Sequence, residues 1–225
     1  MKPNIIYRSP IKNIHPKIIY LLRHGESEGN ARGLDDFSLK NVPNHQFPLT
    51  QLGFNQINHS AEYILNEGLI DEYTGLYTSN FLRAKQSLEI VLKKQKRKKF
   101  DVVIDPRLDE WWKGIFHSLS PNEIAEKYPL EADVQAREGW HHYRPPQGQA
   151  GKDVEKDLIS FFQEVKEDKI LIVGHGRNLG FMFRLLADQL INLQCLYPIP
   201  KNGEIWKLTK NSDINKYNFE SLFTP

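Results

Sequence analysis

The sequence predicts an α/β fold: a three-layer α/β/α sandwich with a mainly parallel central sheet, in a single domain over residues 1–225. Three observations carry this expectation. Short apolar runs bounded by charge or glycine, Ile18–Leu22 and Lys169–Gly174, have the length and character of buried strands. Stretches with apolar residues at helical spacing fall between such runs, so strands and helices alternate. Both runs end in His-Gly, at His24-Gly25 and His175-Gly176. In sheets of this class, ligands sit beyond the carboxyl ends of the strands. If the two strands are parallel neighbours, both histidines open onto one crevice.

Taken in order, Ile18–Leu22 is the first buried strand. Thr50 then stands at an N-cap position, with Leu52, Ile57, Ala61, Ile64 and Leu65 recurring behind it until Gly68 stops the helix. Gly75–Ser79 is a short strand, followed by a helix that is apolar at Leu82, Leu88, Val91 and Leu92. Asp101–Asp105 is a further strand. Ser120, Pro121 and Glu123 spell a capping box with proline at the first helical position. Residues 153–167 read as an amphipathic helix, Lys169–Gly174 as the second buried strand and residues 176–189 as the helix after it. Gly203–Lys210 is the last strand, expected at an edge. Residues 106–150 are expected to form an insertion or lid over the crevice.

Composition excludes several classes of function. The chain is 40% hydrophobic and 26% charged, the balance of an ordinary globular protein. Its net charge of +2 creates no global field that demands a nucleic acid. The single cysteine, Cys195, rules out an internal disulfide and a cysteine-based zinc site, and fits a reducing compartment. No apolar run approaches the ~20 residues that span a bilayer. The N-terminus is broken by prolines and lysines and lacks the apolar core of a signal peptide. The expectation is a cytoplasmic location, with neither membrane nor nucleic acid as partner. The basic run Lys93–Lys99 reads as a solvated helix end and loop, because no aromatic or glycine residue interleaves it.

The chemistry lies at the strand ends. Either histidine alone would read as a structural residue, but each ends a strand and precedes a glycine that permits close backbone approach. Arg23 adjoins His24, and Arg83 opens the helix after the Gly75–Ser79 strand. Guanidinium forks match phosphate oxygens in a bidentate way. Two arginines and two imidazoles at one crevice make a pocket for a phosphoryl dianion, with helix N-termini adding backbone N–H groups. Other chemistries fit less well. There is no H-E-x-x-H, and flanking arginines would repel a dication. A G-x-S-x-G elbow, a Walker A loop and a glycine-rich dinucleotide loop are all absent. No metal and no cofactor is expected.

The stretch "LLRHGESEGN" resembles the signature of the histidine phosphatase superfamily, the phosphoglycerate mutase-like enzymes. Further segments resemble that family's motifs in family order: "PLTQLGFNQ", "YTSNFLRAKQSLE", "DPRLDEWWKG", "YRPPQGQAGKDV" and "LIVGHG". Together they span roughly residues 18–186. Within the superfamily, "VPNHQFPLT" is most similar to small phosphatases of plants and fungi. The resemblance implies that His24 is the nucleophile and is phosphorylated in passing. It implies that Arg23, Arg83 and His175 hold the equatorial oxygens, and that Asn30 lies near the phosphate. Glu110, favoured over its neighbour Asp109, would protonate the leaving oxygen and then activate water. Gly176, Arg144 and His45 complete the expected substrate-binding set, with His141, His142 and Tyr143 as further candidates. Glu26 and Glu28 are expected to order their loop rather than catalyse.

Departures from the pattern are Gln149 and Ala150 where Glu-Ser is common, Gly174 where a serine is common, and the stretch Ile115–Leu119. The expected function is a metal-independent phosphomonoesterase acting through a phosphohistidine on a small phosphorylated metabolite. Phosphoglycerate mutase is the alternative. A non-catalytic phospho-ligand binder fits less well, because nucleophile and acid are both present. The expected partner is a small-molecule phosphate ester, and homodimerisation is left open.

Overall fold

The computed structural model of the protein describes residues 14–31, 42–95, 100–117, 119–186, 198–211 and 216–225. Within them, β1 (Ile18–Arg23), β2 (Thr74–Thr78), β3 (Val102–Ile104), β4 (Lys169–Gly174), β5 (Ile205–Asn211) and β6 (Lys216–Phe223) form one sheet. The spatial order is β3-β2-β4-β1-β5-β6. The first four strands in that order are mutually parallel, while β5 and β6 run antiparallel. The helices are α1 (Glu28–Ala31), α2 (Gln51–Asn66), α3 (Leu82–Lys94), α4 (Pro121–Lys127), α5 (Pro129–His142), α6 (Gly151–Glu164) and α7 (Gly176–Leu186).

Side-chain alternation along the central strands builds three layers. Ile19 and Leu21 of β1, with Ile170 and Ile172 of β4, face the core formed with Leu158, Phe161 and Phe162 of α6 and Met182 and Phe183 of α7. Tyr20 and Leu22, with Leu171 and Val173, face the opposite core formed with Ile57, Ala61 and Ile64 of α2 and Leu88 and Val91 of α3. Both strands are therefore apolar on both faces, which is why they read as continuous runs rather than alternating ones. This is the expected α/β/α sandwich. The predicted helix signals sit where they should. The Thr50 side chain accepts from Gly53 N at 3.0 Å, and Gly68 has φ +59° just beyond the end of α2. Ser120 and Glu123 complete their capping box at the start of α4.

Two features differ from expectation. The strand at Gly203–Lys210 is not an edge: β5 lies between β1 and β6. Lys216, Asn218 and Glu220 give β6 a polar face that hides the strand in the sequence, while Tyr217 is buried and Phe219 packs against Phe183 and Trp206. Residues 129–142 also form α5, a helix broken at Gly139 (φ +71°) and without a buried stripe to announce it. Together α4, α5 and the 3₁₀ turn at Gly114–Phe116 close around a small core of Phe116, Ile124 and Tyr143. Lys93 and Lys94 of the basic run pair with Glu89 and Glu62; residues 96–99, residues 187–189 of the predicted last helix and Cys195 lie outside the described residues. No helix among the described residues is long and apolar enough to cross a membrane.

Candidate active site

The parallel pairing of β1 with β4 decides the site. Arg23 lies opposite Gly174 in register, so the next residues, His24 and His175, leave neighbouring strand ends together. Their ring centroids are 5.0 Å apart at 60°. Both imidazoles are buried, as are Arg83 and Ser79 beside them.

The loop after His24 is fixed by two segments from the α2 and α3 region. Thr50 N donates to Glu26 O at 2.9 Å and the Thr50 hydroxyl to Glu26 Oε1 at 2.8 Å, while Glu26 N donates to Gln56 Oε1 at 2.8 Å. Leu49 N donates to Gln86 Oε1 at 2.9 Å, and Gly25 N to Ser87 Oγ at 3.2 Å. Glu26 therefore orders the loop. The close approach at Gly25 is to Gly53 rather than to a ligand: a Cβ on Gly25 would lie 2.4 Å from Gly53 O, and one on Gly53 would lie 2.0 Å from Glu26 O. We expect Gly53→Ala to force the loop off α2 and lower stability by about 1–3 kcal/mol, as overpacking against rigid backbone does. A denaturation midpoint unchanged from wild type would contradict this.

The hydrogen bonds assign the proton on each ring. His24 Nδ1 lies 2.6 Å from Gly25 O, a carbonyl that can only accept, so Nδ1 carries the hydrogen. Nε2 is then a lone-pair nitrogen, and it accepts from Arg83 Nε at 3.2 Å. His175 Nε2 lies 2.8 Å from Ser79 Oγ, whose own proton goes to Asp109 Oδ1 at 2.7 Å. That chain makes Nε2 the donor on His175 and leaves its buried Nδ1 without a hydrogen-bond partner among the described residues. Burial, then the Arg83 and Arg23 charges, hold the His24 imidazole well below its usual range; burial, Arg83 and the neighbouring imidazole do the same to His175. Both rings are neutral at neutral pH.

Cations surround the rings. Arg83 Nη1 donates to Asn44 O at 2.8 Å, and its guanidinium lies 4.8 Å above the Phe81 ring, which meets His175 edge-on at 4.9 Å. Burial pushes the Arg83 guanidinium down to about 10, so it stays charged at neutral pH. Arg23 Nη1 donates to Pro200 O at 2.7 Å, while its buried Nε has no partner among the described residues. The Arg23 guanidinium lies against Gly176, where a Cβ would meet its Cζ at 3.2 Å. The adjacent acids face apart. Asp109 accepts from Ser79 and from Asn80 N at 2.7 Å, whereas Glu110 faces the charges of Arg83, Arg23 and Arg177. Burial nonetheless pushes the Glu110 carboxyl up, with those arginines pulling the other way. A buried guanidinium at Arg83, a half-buried one at Arg23, two neutral imidazoles and a carboxyl whose proton affinity is raised by burial suit the handling of a phosphoryl group.

Comparison with known proteins agrees. The profile of the histidine phosphatase superfamily (branch 1) matches residues 19–213. The chain belongs to that superfamily. It is 31% identical over 205 residues to a 6-phosphofructo-2-kinase/fructose-2,6-bisphosphatase of Caenorhabditis elegans, covering 88% of this chain and 40% of that relative. The chain thus spans less than half the length of that protein. Identity with a phosphoglycerate mutase of Schizosaccharomyces pombe is 24% over 195 residues, covering 82% and 88% of the two chains. Among solved structures, an alpha-ribazole phosphatase from Shigella flexneri superposes with TM-score 0.70 at 20% identity, covering 91% and 95%. A mycobacterial glucosyl-3-phosphoglycerate phosphatase gives 0.66 at 19%, covering 92% and 99%. These two likenesses establish the fold. The relatives include both phosphatases and mutases.

Several of the expected substrate-binding residues are engaged with partners other than the two imidazoles. The Asn30 side chain is exposed, and its oxygen accepts from Ser27 N at 3.2 Å and Ser27 Oγ at 3.0 Å. His45 is exposed with its ring 6.2 Å from Phe81, and it is Asn44 beside it that receives Arg83. Arg144 is tied to Asp153 at 2.6 Å, His141 to Glu155 at 2.8 Å, and the buried Tyr143 hydroxyl to Glu131. Gln149 and Ala150, the departures from Glu-Ser, have a structural use. Gln149 O accepts from Trp111 Nε1 at 2.8 Å and its side chain accepts from Trp112 N at 3.3 Å, joining residues 145–150 to the acid-bearing segment. Ala150 cannot cap with a side chain, and Asp153 accepts its N–H at 2.7 Å instead. Nothing in the structure explains Gly174, where a Cβ would meet only Leu179 at 3.4 Å. Sequence reasoning did not single out Ser79, Asn44, Phe81, His117 or Arg177. Ser79 could have been found, because it ends a strand neighbouring β4 and must therefore face His175.

Proposed function

We propose that the protein is a phosphomonoesterase working through a phosphohistidine. The observation that carries this reading is the state of His24: Nδ1–H is spent on Gly25 O, so Nε2 presents a lone pair beside Arg83. Nε2 attacks phosphorus, a P–N bond forms, and the P–O bond to the alcohol breaks. Glu110 gives its proton to the departing oxygen. In the second step water attacks phosphorus, Glu110 takes a water proton, and the P–N bond breaks to free phosphate and Nε2. Arg23 and Arg83 hold the equatorial oxygens as charge moves between the axial ones, and His175, whose Nε2–H is spent on Ser79, joins them by taking a proton on Nδ1 as the anion enters. Gly176 serves by letting Arg23 lie flat against the α7 N-terminus. Residues 106–150 serve as a lid over the crevice, carrying Glu110 at their inner end. No metal is needed for either step.

Mutase activity requires the phosphoryl group to return to the same substrate faster than water takes it. A trial with 3-phosphoglycerate and a 2,3-bisphosphoglycerate primer separates the two. We expect phosphate release to outrun isomerisation. Isomerisation outrunning release would replace this reading by the mutase.

A further inference from the structure

Asp109 is the acid that the phosphoryl chemistry leaves unused, and it is built into the site. Its Oδ1 accepts from the Ser79 hydroxyl at 2.7 Å and from Asn80 N at 2.7 Å. Ser79 Oγ in turn lies 2.8 Å from His175 Nε2 and accepts from Phe81 N at 3.1 Å. A continuous chain therefore runs from a buried imidazole, through a buried hydroxyl, to a half-buried carboxylate. One helix holds both ends. His175 directly precedes α7, and Asn178 of that helix, itself buried, donates to Asp109 O at 2.8 Å. We infer that Asp109 is a positioning residue for His175: acting through Ser79, its carboxylate fixes the imidazole tautomer and balances the charge when Nδ1 takes a proton.

The direction of the chain follows from its donors. Asp109 Oδ1 receives a hydroxyl and a backbone N–H, as an ionised carboxylate does. Ser79 spends its proton there, so its oxygen is left to accept from His175 Nε2–H. Nδ1 is then the nitrogen open to an incoming anion, and it is buried with no hydrogen-bond partner among the described residues. A bare lone pair would repel phosphoryl oxygens, whereas a protonated Nδ1 donates to them. Burial opposes that imidazolium, and so do the charges of Arg83, His24 and Arg23. Anions on both sides offset this cost: the phosphoryl group at Nδ1, and Asp109 reached through Ser79. On the phosphomonoesterase reading, on which this assignment rests, the dianion enters with a proton taken from water, and the buffer neutralises the hydroxide left behind. The proton returns to solvent when phosphate leaves. The charged groups that act on Asp109 are Asp105, just after β3, and Lys85 of α3, of opposite sign. Burial pushes the Asp109 carboxyl up, with the Ser79 and Asn80 bonds pulling the other way. The counter-charge is thus present above that raised value and lost as pH falls through it.

The test counts protons. Binding of inorganic phosphate is measured by calorimetry at about pH 8, where phosphate is a dianion. Repeating it in buffers of different ionisation enthalpy gives the number of protons taken up. Glu110→Gln serves as parent, so that the Glu110 carboxyl cannot contribute. We expect the parent to take up about one proton per phosphate bound. Adding Asp109→Asn, which keeps an acceptor oxygen and removes the charge, should bring the count below about half and weaken binding about tenfold or more. Ser79→Ala, which cuts the chain and leaves Asp109 in place, should do the same. A residue that merely held the fold would weaken binding without changing the count. The parent's count retained in either folded variant would overturn the assignment, as would a parent that binds phosphate without proton uptake or binds none. Turnover of 4-nitrophenyl phosphate by wild type is measured alongside. No turnover together with the expected counts would sink the phosphatase reading and leave the role of Asp109 standing; turnover together with unchanged counts would do the reverse.

Discussion

His24→Ala is expected to lower kcat/KM for phosphomonoester hydrolysis by on the order of 10⁴–10⁶-fold, the scale on which loss of a covalent nucleophile falls. The argument begins with the proton on Nδ1. With that proton donated to Gly25 O at 2.6 Å, Nε2 is the only imidazole nitrogen free to form a bond to phosphorus. Burial and two guanidinium groups keep the ring neutral, so the lone pair is available without a separate base. No neighbouring side chain can replace it. His175 is tied through Nε2 to Ser79, and its Nδ1 has no donor beside it among the described residues, whereas His24 Nε2 lies 3.2 Å from Arg83 Nε. The variant should still fold, because the backbone bond from His24 N to Gly174 O and the Gly25–Gly53 crossing do not use the imidazole. Rapid alkaline quench of wild type during turnover should trap a phosphoryl label that is stable in base and lost in acid; the alanine variant should carry none. Turnover within tenfold of wild type, in a variant that melts as wild type does, would sink the nucleophile assignment.

How much of this was legible in the sequence depends on the range of the interactions involved. The two strands that end in His-Gly were readable because both of their faces are buried, which leaves uninterrupted apolar runs at Ile19–Leu22 and Ile170–Val173. Their adjacency was not readable. It is a pairing across 151 residues, fixed by Ile18 opposite Lys169. The roles of "PLTQLGFNQ" could be matched as a motif, yet their physical meaning appears only in three dimensions: Thr50, Gly53 and Gln56 all grip Glu26 or its neighbours. The choice between Glu110 and Asp109 is a matter of which way each side chain turns, and the bonds from Ser79 and Asn80 to Asp109 favour Glu110 as the proposed donor. Arg177 had no signal of its own, since a lone arginine in a helix's first turn looks like any surface cation. β6 went unrecognised for the opposite reason to β1: its exposed face carries the charges that normally mark a loop.

Glu110→Gln is expected to slow alkyl phosphates by about 10²–10⁴-fold, the usual worth of general acid catalysis, and 4-nitrophenyl phosphate by less than about tenfold. An alkoxide leaves poorly without a proton, whereas nitrophenolate leaves unaided, so the ratio between substrates isolates the proton transfer. The pH dependence follows with a definite sign. Burial raises the Glu110 pKa above the ordinary carboxylate value, so the acid is loaded below that raised pKa and lost as pH climbs through it. The His24 pKa is pushed well below the usual imidazole value, so the nucleophile becomes available as pH climbs through that low point. Wild-type kcat/KM for an alkyl phosphate should therefore rise on an acid limb and fall on an alkaline limb. Glutamine cannot titrate, so the variant should keep the rise and lose the fall that belongs to the carboxyl. Gln is nearly isosteric and can still accept from Trp111 N as Glu110 Oε1 does at 3.1 Å, which keeps the segment in place. Equal slowing of aryl and alkyl substrates, or an alkaline limb that survives unchanged in the variant, would assign the proton to another group, and Asp109, turned to Ser79, would be the next to test.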